Sequence, residues 1–405
     1  MKTLRILPFL FGVCLSLPAQ TWVGSWAASQ QIPTGVNALA ANDLQSATLR
    51  QIVHLSLGGE QLRIRIANTF GTTPLHLAAV HIAKPKSTAD AAIDPATDRA
   101  LSFDGKPDVV IPAGAEYLSD PIPFHAPAAS DLAITIRYTD APDIQTSHPG
   151  SRATSYLSHT TSVDAATMPD AKKFEHWFQI SGVDVPASKD TATVVTLGDS
   201  ITDGHGATDN GNDRWPDDLA ARLLADGKTR TRGVLNHGLG GNRVLLDGQG
   251  PNALARFSSD VLAQPGVKYV IVFEGVNDLG MSTKDAEISP EDHAALVAHM
   301  LGAYQQMIDR THTAGLKIYG ATITPYQGFT FYHPTATNEA DRQKINAWIR
   351  KSGHFDAVLD FDKIVADPAN PARLLPKFDS GDHIHPNQSA YHAIAESIPL
   401  SLFAK

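Results

Sequence analysis

The spacing of apolar and polar residues changes near the middle of the chain. From residue 21 to about residue 185, apolar residues alternate with polar ones, and the clearest run is Leu132, Ile134, Ile136 and Tyr138. A period of two is typical of β-strands. The same alternation on both sides of Gly58-Gly59 predicts a hairpin with one solvent-facing side. No long helical period interrupts this region, so we predict a β-sandwich of jelly-roll type.

A different rhythm follows the polar stretch at residues 186–190, where short apolar runs alternate with amphipathic helical patterns. The runs are Val194–Leu197, Gly233–Leu235, Tyr269–Phe273, Ile318–Ile323 and Val358–Phe361. One helical face spans Trp215 to Leu224, and a longer helix begins at Ser289-Pro290, a capping serine followed by proline. Strands separated by helices predict a parallel, doubly wound α/β sheet.

The first twenty residues have the layout of a secretory signal peptide. Lys2 and Arg5 precede an apolar stretch that ends at Leu17-Pro18-Ala19, and this stretch is too short to span a bilayer. We therefore predict a secreted or periplasmic protein without a membrane span. Cys14, the only cysteine, lies in this segment, so the mature chain would have no disulfide and no cysteine ligand for a metal.

These patterns divide the chain into three parts. We predict a signal peptide over residues 1–20, a β-sandwich accessory domain over residues 21–188 and an α/β domain over residues 189–405. Hydrophobic residues make up 42% of the chain and charged residues 19%, which is ordinary for a globular protein. With 33 basic and 42 acidic residues the net charge is −9. Such a chain has no overall basic field, so we predict no nucleic-acid partner.

The first apolar run of the α/β domain ends in Gly198-Asp199-Ser200. Functional groups collect at the carboxyl ends of the strands in such sheets, although Asp199 or Ser200 would also serve as an ordinary helix cap. A serine becomes a nucleophile when a base takes its proton and a third group orients the base. Asp382 and His385, just beyond the last run, are three residues apart, and one turn would bring the carboxylate to the imidazole.

The same segment offers an alternative, a metal site. Asp379, Asp382, His383 and His385 are rich in ligand atoms. A metal site would leave Ser200 unexplained and has no matching partner elsewhere. We therefore predict no metal and assign His383 to the structure or to a pocket wall.

Acyl transfer also needs hydrogen-bond donors for the oxygen that becomes negative. A glycine-rich loop after the second run, residues 235–243, would present backbone N–H groups. Asn277, after the third run, offers a side-chain amide. Each segment alone would be read as a turn, but together four strand ends supply a nucleophile, two donors and a base–acid pair.

These four segments resemble the signature blocks of the SGNH hydrolases, also called GDSL-type esterases. The blocks are Gly198-Asp199-Ser200, the loop from Asn236 to Gly241, Gly275-Val276-Asn277-Asp278 and Asp382-His383-Ile384-His385, in the family's order within residues 192–400. Ile201 stands where the family's name has leucine. The resemblance implies a flavodoxin-like three-layer α/β/α fold and a serine esterase that uses no metal or other cofactor.

Carried over block by block, the resemblance gives each residue a role. Ser200 is the nucleophile, and its backbone N–H is one oxyanion donor. Gly241, favoured over Gly238, and the Asn277 side chain are the other donors. His385 is the general base, and Asp382 orients it.

The substrate is less closely defined by the sequence. The loop of residues 324–333 follows the fourth run, and we list Tyr326 and Phe329, together with His383, as candidate substrate-binding residues. The partner we predict is a small-molecule or polysaccharide ester, and secretion and a separate β domain favour acetyl groups on a polysaccharide. A lipase or lysophospholipase, a broad arylesterase and a catalytically inactive glycan-binding protein stay open as alternatives. The sequence gives no prediction of the oligomeric state.

Overall fold

Two groups of strands organise the chain in this computed structural model, which describes residues 20–351 and 353–404. The predicted signal peptide lies outside the described residues except for Gln20. The first group is antiparallel and comprises β1 Trp22–Ala27, β2 Thr48–Leu55, β3 Gly59–Ala67, β4 Leu75–Ala83, β5 Arg99–Ala100, β6 Val109–Ile111, β7 Glu116–Leu118, β8 Ile122–Ala126, β9 Ser130–Tyr138, β10 Ser147–Pro149, β11 Ser155–Ser158, β12 Lys172–Phe174, β13 His176–Phe178 and β14 Ile180–Pro186.

These strands form two main antiparallel sheets. One has the order β1-β14-β3-β7, with β8 also paired to β3. The other has the order β12-β11-β2-β9-β4-β5, with β6 paired to β4, and a short β10-β13 pair completes the group. Apolar side chains of both sheets form one shared core. Two sheets around one core make the predicted β-sandwich.

The predicted hairpin around Gly58-Gly59 is wrong. Strand β2 pairs with β9 and β11, whereas β3 pairs with β14, β7 and β8, so the turn carries the chain from one sheet to the other. The expected solvent-facing side is only partly present: Gln61 is exposed and Arg63 half-buried, but Arg50 and Arg65 are both buried. Alternation indicates which residues share a face, but it does not identify the partner strand.

The second group of strands is parallel and alternates with helices. Its strands are β15 Ala192–Gly198, β16 Arg232–Gly238, β17 Val267–Phe273, β18 Lys317–Ala321 and β19 Ala357–Leu359. Its helices are α1 Ser200–Asp203, α2 Trp215–Ala225, α3 Ala253–Phe257, α4 Val276–Thr283, α5 Pro290–Thr313, α6 Ala336–Arg350, α7 Phe361–Val365 and α8 Gln388–Ser397. A small hairpin, β20 Ala366–Asp367 with β21 Asn370–Leu374, follows α7.

Short helical turns complete the secondary structure. Four are 3₁₀ turns and one is a π-helical turn directly after α3. They cover Gly35–Asn37, Pro95–Thr97, Pro376–Phe378, Leu400–Phe403 and, for the π-helical turn, Ser258–Leu262.

The parallel sheet has the order β16-β15-β17-β18-β19, which is the 2-1-3-4-5 order of flavodoxin-like folds. Helices α2, α7 and α8 pack together, and α3, α5, α4 and α6 form a second packed group. The sheet between the helices gives the three-layer α/β/α architecture expected from the resemblance. All five predicted strands are present, and Ser289 caps α5 by accepting a hydrogen bond from the Asp292 N–H.

The sandwich lies against β16, the edge strand of the parallel sheet. Strand β1 packs along β16, and the Val234 N–H donates to Ser56 Oγ at 3.0 Å. An exposed strand edge is a site of unwanted pairing, and here the sandwich covers it. Strand β14 ends at Pro186 and β15 begins at Ala192, while the domain boundary at residues 188 and 189 stays a prediction. Among the described residues, no helix combines the length and apolar character needed to cross a bilayer.

Candidate active site

Ser200 lies at the carboxyl end of β15, the buried strand next to the edge of the parallel sheet. Asp199 caps α1 by accepting a hydrogen bond from the Ile201 N–H at 2.9 Å, and Ser200 is the first residue of that helix. A Cβ on Gly198 would lie 2.0 Å from Thr202 Oγ1. Only glycine therefore allows the chain to turn here and bring the serine to the strand end.

His385 and Asp382 come to Ser200 from the loop before α8. His385 Nε2 lies 2.8 Å from Ser200 Oγ, and His385 Nδ1 lies 2.6 Å from Asp382 Oδ2. The other Asp382 oxygen accepts the backbone N–H groups of Ile384 and His385. Burial alone would raise the pKa of Asp382, but the hydrogen bonds from His385 hold it well below its ordinary value. An ionised Asp382 keeps the proton on Nδ1, which leaves Nε2 free to accept the serine proton.

Asn277, the second residue of α4, is held in one orientation. Tyr332 donates its hydroxyl to Asn277 Oδ1 at 2.7 Å, and Asn277 Nδ2 donates to the Asn242 carbonyl at 2.8 Å. An amide nitrogen carries two N–H groups, so one stays available to a ligand. These contacts also tie α4 to the glycine-rich loop that contains Gly241.

The two glycines considered for the oxyanion site differ in their surroundings. The Gly238 N–H donates to Asn236 Oδ1 at 2.9 Å, and a Cβ on Gly238 would lie 2.1 Å from the Asp203 nitrogen. Gly241 has a φ of +70°, in the left-handed region, and its N–H donates to no residue in the described part of the chain. Gly238 therefore packs against α1, and Gly241 has the free donor.

A buried arginine, Arg256, ties the strand ends together. It is 4% exposed, and its guanidinium donates to the carbonyls of Gly198 and His237 at 3.0 and 2.8 Å and to Asn242 Oδ1 at 3.0 Å. It also contacts Glu274 at the end of β17. One side chain thus fixes three adjacent strand ends and the glycine-rich loop.

Arg256 is also held by the sandwich and by its own helical segment. Its Nη1 donates to Ser29 Oγ at 2.9 Å and to Asp260 Oδ2 at 3.0 Å. Ser29, which follows β1, donates to the same Asp260 oxygen at 2.7 Å. The two parts of the molecule therefore share one hydrogen-bond network beneath the site.

Three buried carboxyl groups lie beneath these strand ends. Burial, together with the charge of Asp278, raises the pKa of Asp199 to about 7. Burial and the Asp199 carboxyl raise the pKa of Glu274 well above its ordinary value. Burial raises the pKa of Asp278 to about 6, although Asp278 accepts the Val244 and Leu245 N–H groups and so anchors the glycine-rich loop.

A sequence comparison matches part of this chain to a known family. Residues 196–393 match the model of the GDSL-like lipase/acylhydrolase family. We call the parallel half of the protein, which contains this match, the GDSL domain. A comparison with curated proteins found no match.

Solved structures of GDSL-type and other ester hydrolases resemble the GDSL domain. One is a GDSL-like lipase from Bacteroides thetaiotaomicron VPI-5482, with 19% identity over 54% of this chain and 90% of that chain and a TM-score of 0.39. The acetyl xylan esterase AlAXEase has 21% identity over 51% and 96% of the two chains and a TM-score of 0.38. An aryl esterase from M. smegmatis has 16% identity over 51% and 96% and a TM-score of 0.37.

His205 lies beside the Ser200–His385 pair, and the sequence did not indicate it as a site residue. Its ring lies on that of His385, with 3.9 Å between ring centroids, and Arg152 of the sandwich donates to His205 Nδ1 at 3.2 Å. Burial, with the nearby His385 and Arg152, lowers the pKa of His205 to about 4. It is therefore neutral near pH 7. Nothing in the sequence distinguishes it among 17 histidines.

The sandwich reaches the site through the segment of residues 148–154. His148 Nε2 lies 2.9 Å from Asp203 Oδ1, the Asn210 N–H donates to the Arg152 carbonyl at 2.8 Å, and Arg214 donates to the Ser151 carbonyl. Three residues of the GDSL domain thus hold this segment beside α1. No pattern in the sequence indicates these contacts.

Ser200 opens into a cavity of about 180 Å³ between the two parts of the molecule. One side of the cavity comes from the sandwich, and we call it the β-domain wall: Gln31, Asn37, Pro149, Gly150 and Arg152. The other side comes from the GDSL domain and includes Ser200, Asp203, His205, Gly240 and Gln249. Access to Ser200 is thus shaped by both parts.

The three candidate substrate-binding residues occupy different environments. Tyr326 is 1% exposed and belongs to the apolar core. The prediction that it binds substrate is therefore wrong, because its ring packs in the core. Phe329 is half-buried, with its ring centroid 6.3 Å from that of His385. His383 is exposed and pairs with Asp379 at 2.6 Å, while its Cβ packs near Gly328.

The cluster considered as a metal site separates into two pairs. Asp379 pairs with His383, and Asp382 pairs with His385. Ligand atoms of His205, Asp382 and His385 do lie within 4.8 Å of one another. Both ring nitrogens of His385, however, already contact Ser200 and Asp382, which suits proton transfer better than metal binding.

Proposed function

We propose that this chain is a serine esterase that cleaves carboxylic esters through an acyl-enzyme. The observation that carries the proposal is the chain of contacts from Ser200 Oγ to His385 Nε2 and from His385 Nδ1 to Asp382. His385 takes the proton of Ser200 as its oxygen attacks the ester carbonyl. The carbonyl oxygen becomes negative and accepts hydrogen bonds from the N–H groups of Ser200 and Gly241 and from the Asn277 amide.

The second half of the cycle returns the enzyme to its starting state. His385 gives its proton to the leaving alcohol, and the acyl group remains on Ser200. Water then attacks the acyl carbonyl, with His385 again as base, and releases the acid. Asp382 holds the imidazole in the productive tautomer and stabilises its charged form in both halves.

Replacement of the nucleophile tests the proposal. We expect Ser200→Ala to lower kcat on p-nitrophenyl acetate by at least about 10⁴-fold and to leave the thermal unfolding midpoint nearly unchanged. Ser389→Ala, an exposed serine of α8, is the matched control and should retain full activity. Activity retained by Ser200→Ala would overturn the assignment.

For the substrate we propose acetyl groups on a carbohydrate. The cavity at Ser200 is small, and most of its lining side chains are polar, which favours a compact, hydroxylated substrate over a long acyl chain. Rates on acetylated xylan should therefore exceed those on p-nitrophenyl esters with long acyl chains of about eight carbons or more, because such chains need an apolar slot. Binding of sugar without cleavage would instead favour the glycan-binding alternative.

Arylesterase activity is the second candidate. Phe329 lies beside His385, and Phe331, whose ring centroid is 6.2 Å from that of Phe329, is 54% exposed. Exposed aromatic rings near the site would accommodate an aryl group. A higher kcat/KM on phenyl acetate than on sugar acetates would favour this candidate.

We also propose that the protein is secreted or periplasmic and that the signal peptide is removed near residue 20. The support is the charge and apolar pattern of residues 1–20. Amino-terminal sequencing of protein recovered outside the cytoplasm tests this. A recovered chain that still begins at Met1 would contradict it.

A further inference from the structure

We propose that the β-domain wall is a subsite for the alcohol part of the substrate and that it selects neutral, hydroxyl-rich alcohols. The inference rests on the proposed esterase function and adds residues outside the GDSL domain to it. The leaving oxygen has to reach His385 Nε2 to be protonated. The cavity contains both Ser200, which contacts that atom, and His205, which stacks on the same ring.

The chemistry of the β-domain wall matches hydroxyl groups. Arg152 has only N–H donors, whereas the amides of Gln31 and Asn37 both donate and accept, as sugar hydroxyls do. Gln31 is 4% exposed, and its amide oxygen has no hydrogen-bond partner in the described chain. A buried polar atom without a partner is costly, and a hydroxylated ligand would supply a partner for this amide.

The charges around the cavity favour a neutral ligand. Arg152 Nη1 lies 4.0 Å from Glu175 and 3.9 Å from Asp209, so its positive charge is already offset by two carboxyl groups. Of these carboxyl groups and Asp203, only Asp203 lines the cavity itself. Its carboxylate would repel an acidic sugar, whereas a neutral sugar would not be repelled. A purely apolar alcohol would leave the polar groups of the wall without partners.

The wall is also held rigidly, which suits a specific subsite. Arg152 has a φ of +48°, an uncommon backbone conformation for a residue other than glycine. The Asn210 N–H holds the Arg152 carbonyl, and Asn210 Oδ1 accepts the Thr154 N–H at 2.8 Å. Ser151 N–H donates to the Glu175 carbonyl at 3.0 Å. A pre-organised wall loses little freedom on binding, so its contacts contribute fully to selectivity.

Two substrates with the same acyl group test the subsite. p-Nitrophenyl acetate and an O-acetylated methyl xyloside form the same acetyl-enzyme but differ in the reactivity of the leaving group. That difference is the same for every variant, so a change in the ratio of their kcat/KM values between wild type and variant reports recognition of the alcohol. We expect Gln31→Ala and Arg152→Gln each to lower the ratio, sugar acetate over aryl acetate, by about tenfold or more. Arg99→Gln, an exposed arginine on β5, is the matched control and should leave the ratio unchanged.

The outcomes separate this inference from the proposed function. A ratio that stays within twofold of wild type in both variants (roughly the error of such comparisons) overturns the subsite, whether or not both rates fall. Activity on the aryl acetate with none on the sugar acetate also overturns the subsite but leaves the esterase intact. Absence of Ser200-dependent activity on both esters overturns the proposed function itself.

A binding measurement covers the case in which Arg152→Gln does not fold. Free methyl xyloside should inhibit aryl acetate hydrolysis competitively in the wild type, and its inhibition constant should rise about tenfold in Gln31→Ala. An inhibition constant that Gln31→Ala leaves unchanged would overturn the subsite. Thermal unfolding of each variant verifies that the comparison is made on folded protein.

Discussion

The two sides of the cavity at Ser200 are encoded differently. The proposed reacting groups of the GDSL domain lie in short motifs: Ser200 follows β15 and Asn277 follows β17, whereas the Asp382–His385 pair lies in the loop before α8. The β-domain wall contributes residues such as Gln31 and Arg152 from separate loops. The reacting groups are thus specified locally along the chain, whereas the wall depends on how the two parts pack. We expect substitutions on the first side to change turnover and substitutions on the second to change selectivity.

After Ser200→Ala, Asp382→Asn gives the largest expected effect. An asparagine amide turned toward His385 would favour the wrong imidazole tautomer, so we expect kcat on p-nitrophenyl acetate to fall by about 10³–10⁴-fold. The neighbouring Asp379–His383 pair has the same 2.6 Å separation but does not contact Ser200. Asp379→Asn is therefore the matched control, and an equal loss in both variants would contradict the assignment.

Asn277→Ala should have the next largest effect. Removal of one oxyanion donor typically lowers kcat by about 10²–10³-fold, and steady-state rates on p-nitrophenyl acetate measure it. Tyr332→Phe removes only the hydroxyl that orients the Asn277 amide, so its loss should be smaller. A loss of less than about tenfold in Asn277→Ala would contradict the assignment of this amide as an oxyanion donor.

His205→Ala tests the contact between the two sides. Its ring restrains that of His385, and a small misplacement of a catalytic group lowers the rate, so we expect kcat to fall by about tenfold or more. Because the pKa of His205 is about 4, its charge is not used near pH 7, and His205→Phe should restore most of kcat. Failure of phenylalanine to do so would show that the His205 nitrogens matter and not the stacking.

Asp199→Asn should have the smallest effect, and we expect it in the pH dependence of stability. The pKa of Asp199 is raised from 3.8 to about 7 in the folded chain, so the protonated form contributes stability at low pH that is lost as pH rises from about 4 to about 7. Asparagine stays neutral and still caps α1. The melting temperature of Asp199→Asn minus that of wild type should therefore increase between about pH 4.5 and about pH 7.5.

A melting-temperature difference that does not change across this pH range would contradict a raised pKa for Asp199. Glu274 and Asp278 remain in the variant, and their pKa values are also raised by burial. Some pH dependence should therefore persist in Asp199→Asn.

Much of the fold followed from the sequence because hydrophobic periodicity reports burial directly. The five parallel strands and α5 with its Ser289 cap were predicted near their observed bounds. The failed hairpin at Gly58 shows the limit of this method, since β2 and β3 bury alternate residues against the same core from opposite sheets. A pattern along one strand carries no information about its partner.

The same limit applies to the site. Ser200 and Asn277 could be placed together because parallel strands end at one edge of a sheet. Asp382 and His385 lie beyond the β20–β21 hairpin, in the loop before α8, and the resemblance to the four family blocks placed them with Ser200. The prediction that Tyr326 binds substrate is wrong because the sequence does not distinguish an aromatic loop residue that lines a pocket from one that packs in the core. Arg152 and His205 could not be found, because their contact joins two parts of the molecule that no local spacing relates.

The contact of Arg256 with Ser29 limits how the two halves of this protein can be exchanged with those of a relative. The Ser29 hydroxyl, from the amino-terminal half, accepts a hydrogen bond from the Arg256 guanidinium, which in turn holds the strand ends of the other half. Exchange of either half for that of a relative would leave a buried cation short of an acceptor unless the matching hydroxyl came with it. We therefore expect the two halves to function only as a matched pair, and libraries that recombine them should keep both sides of this junction together.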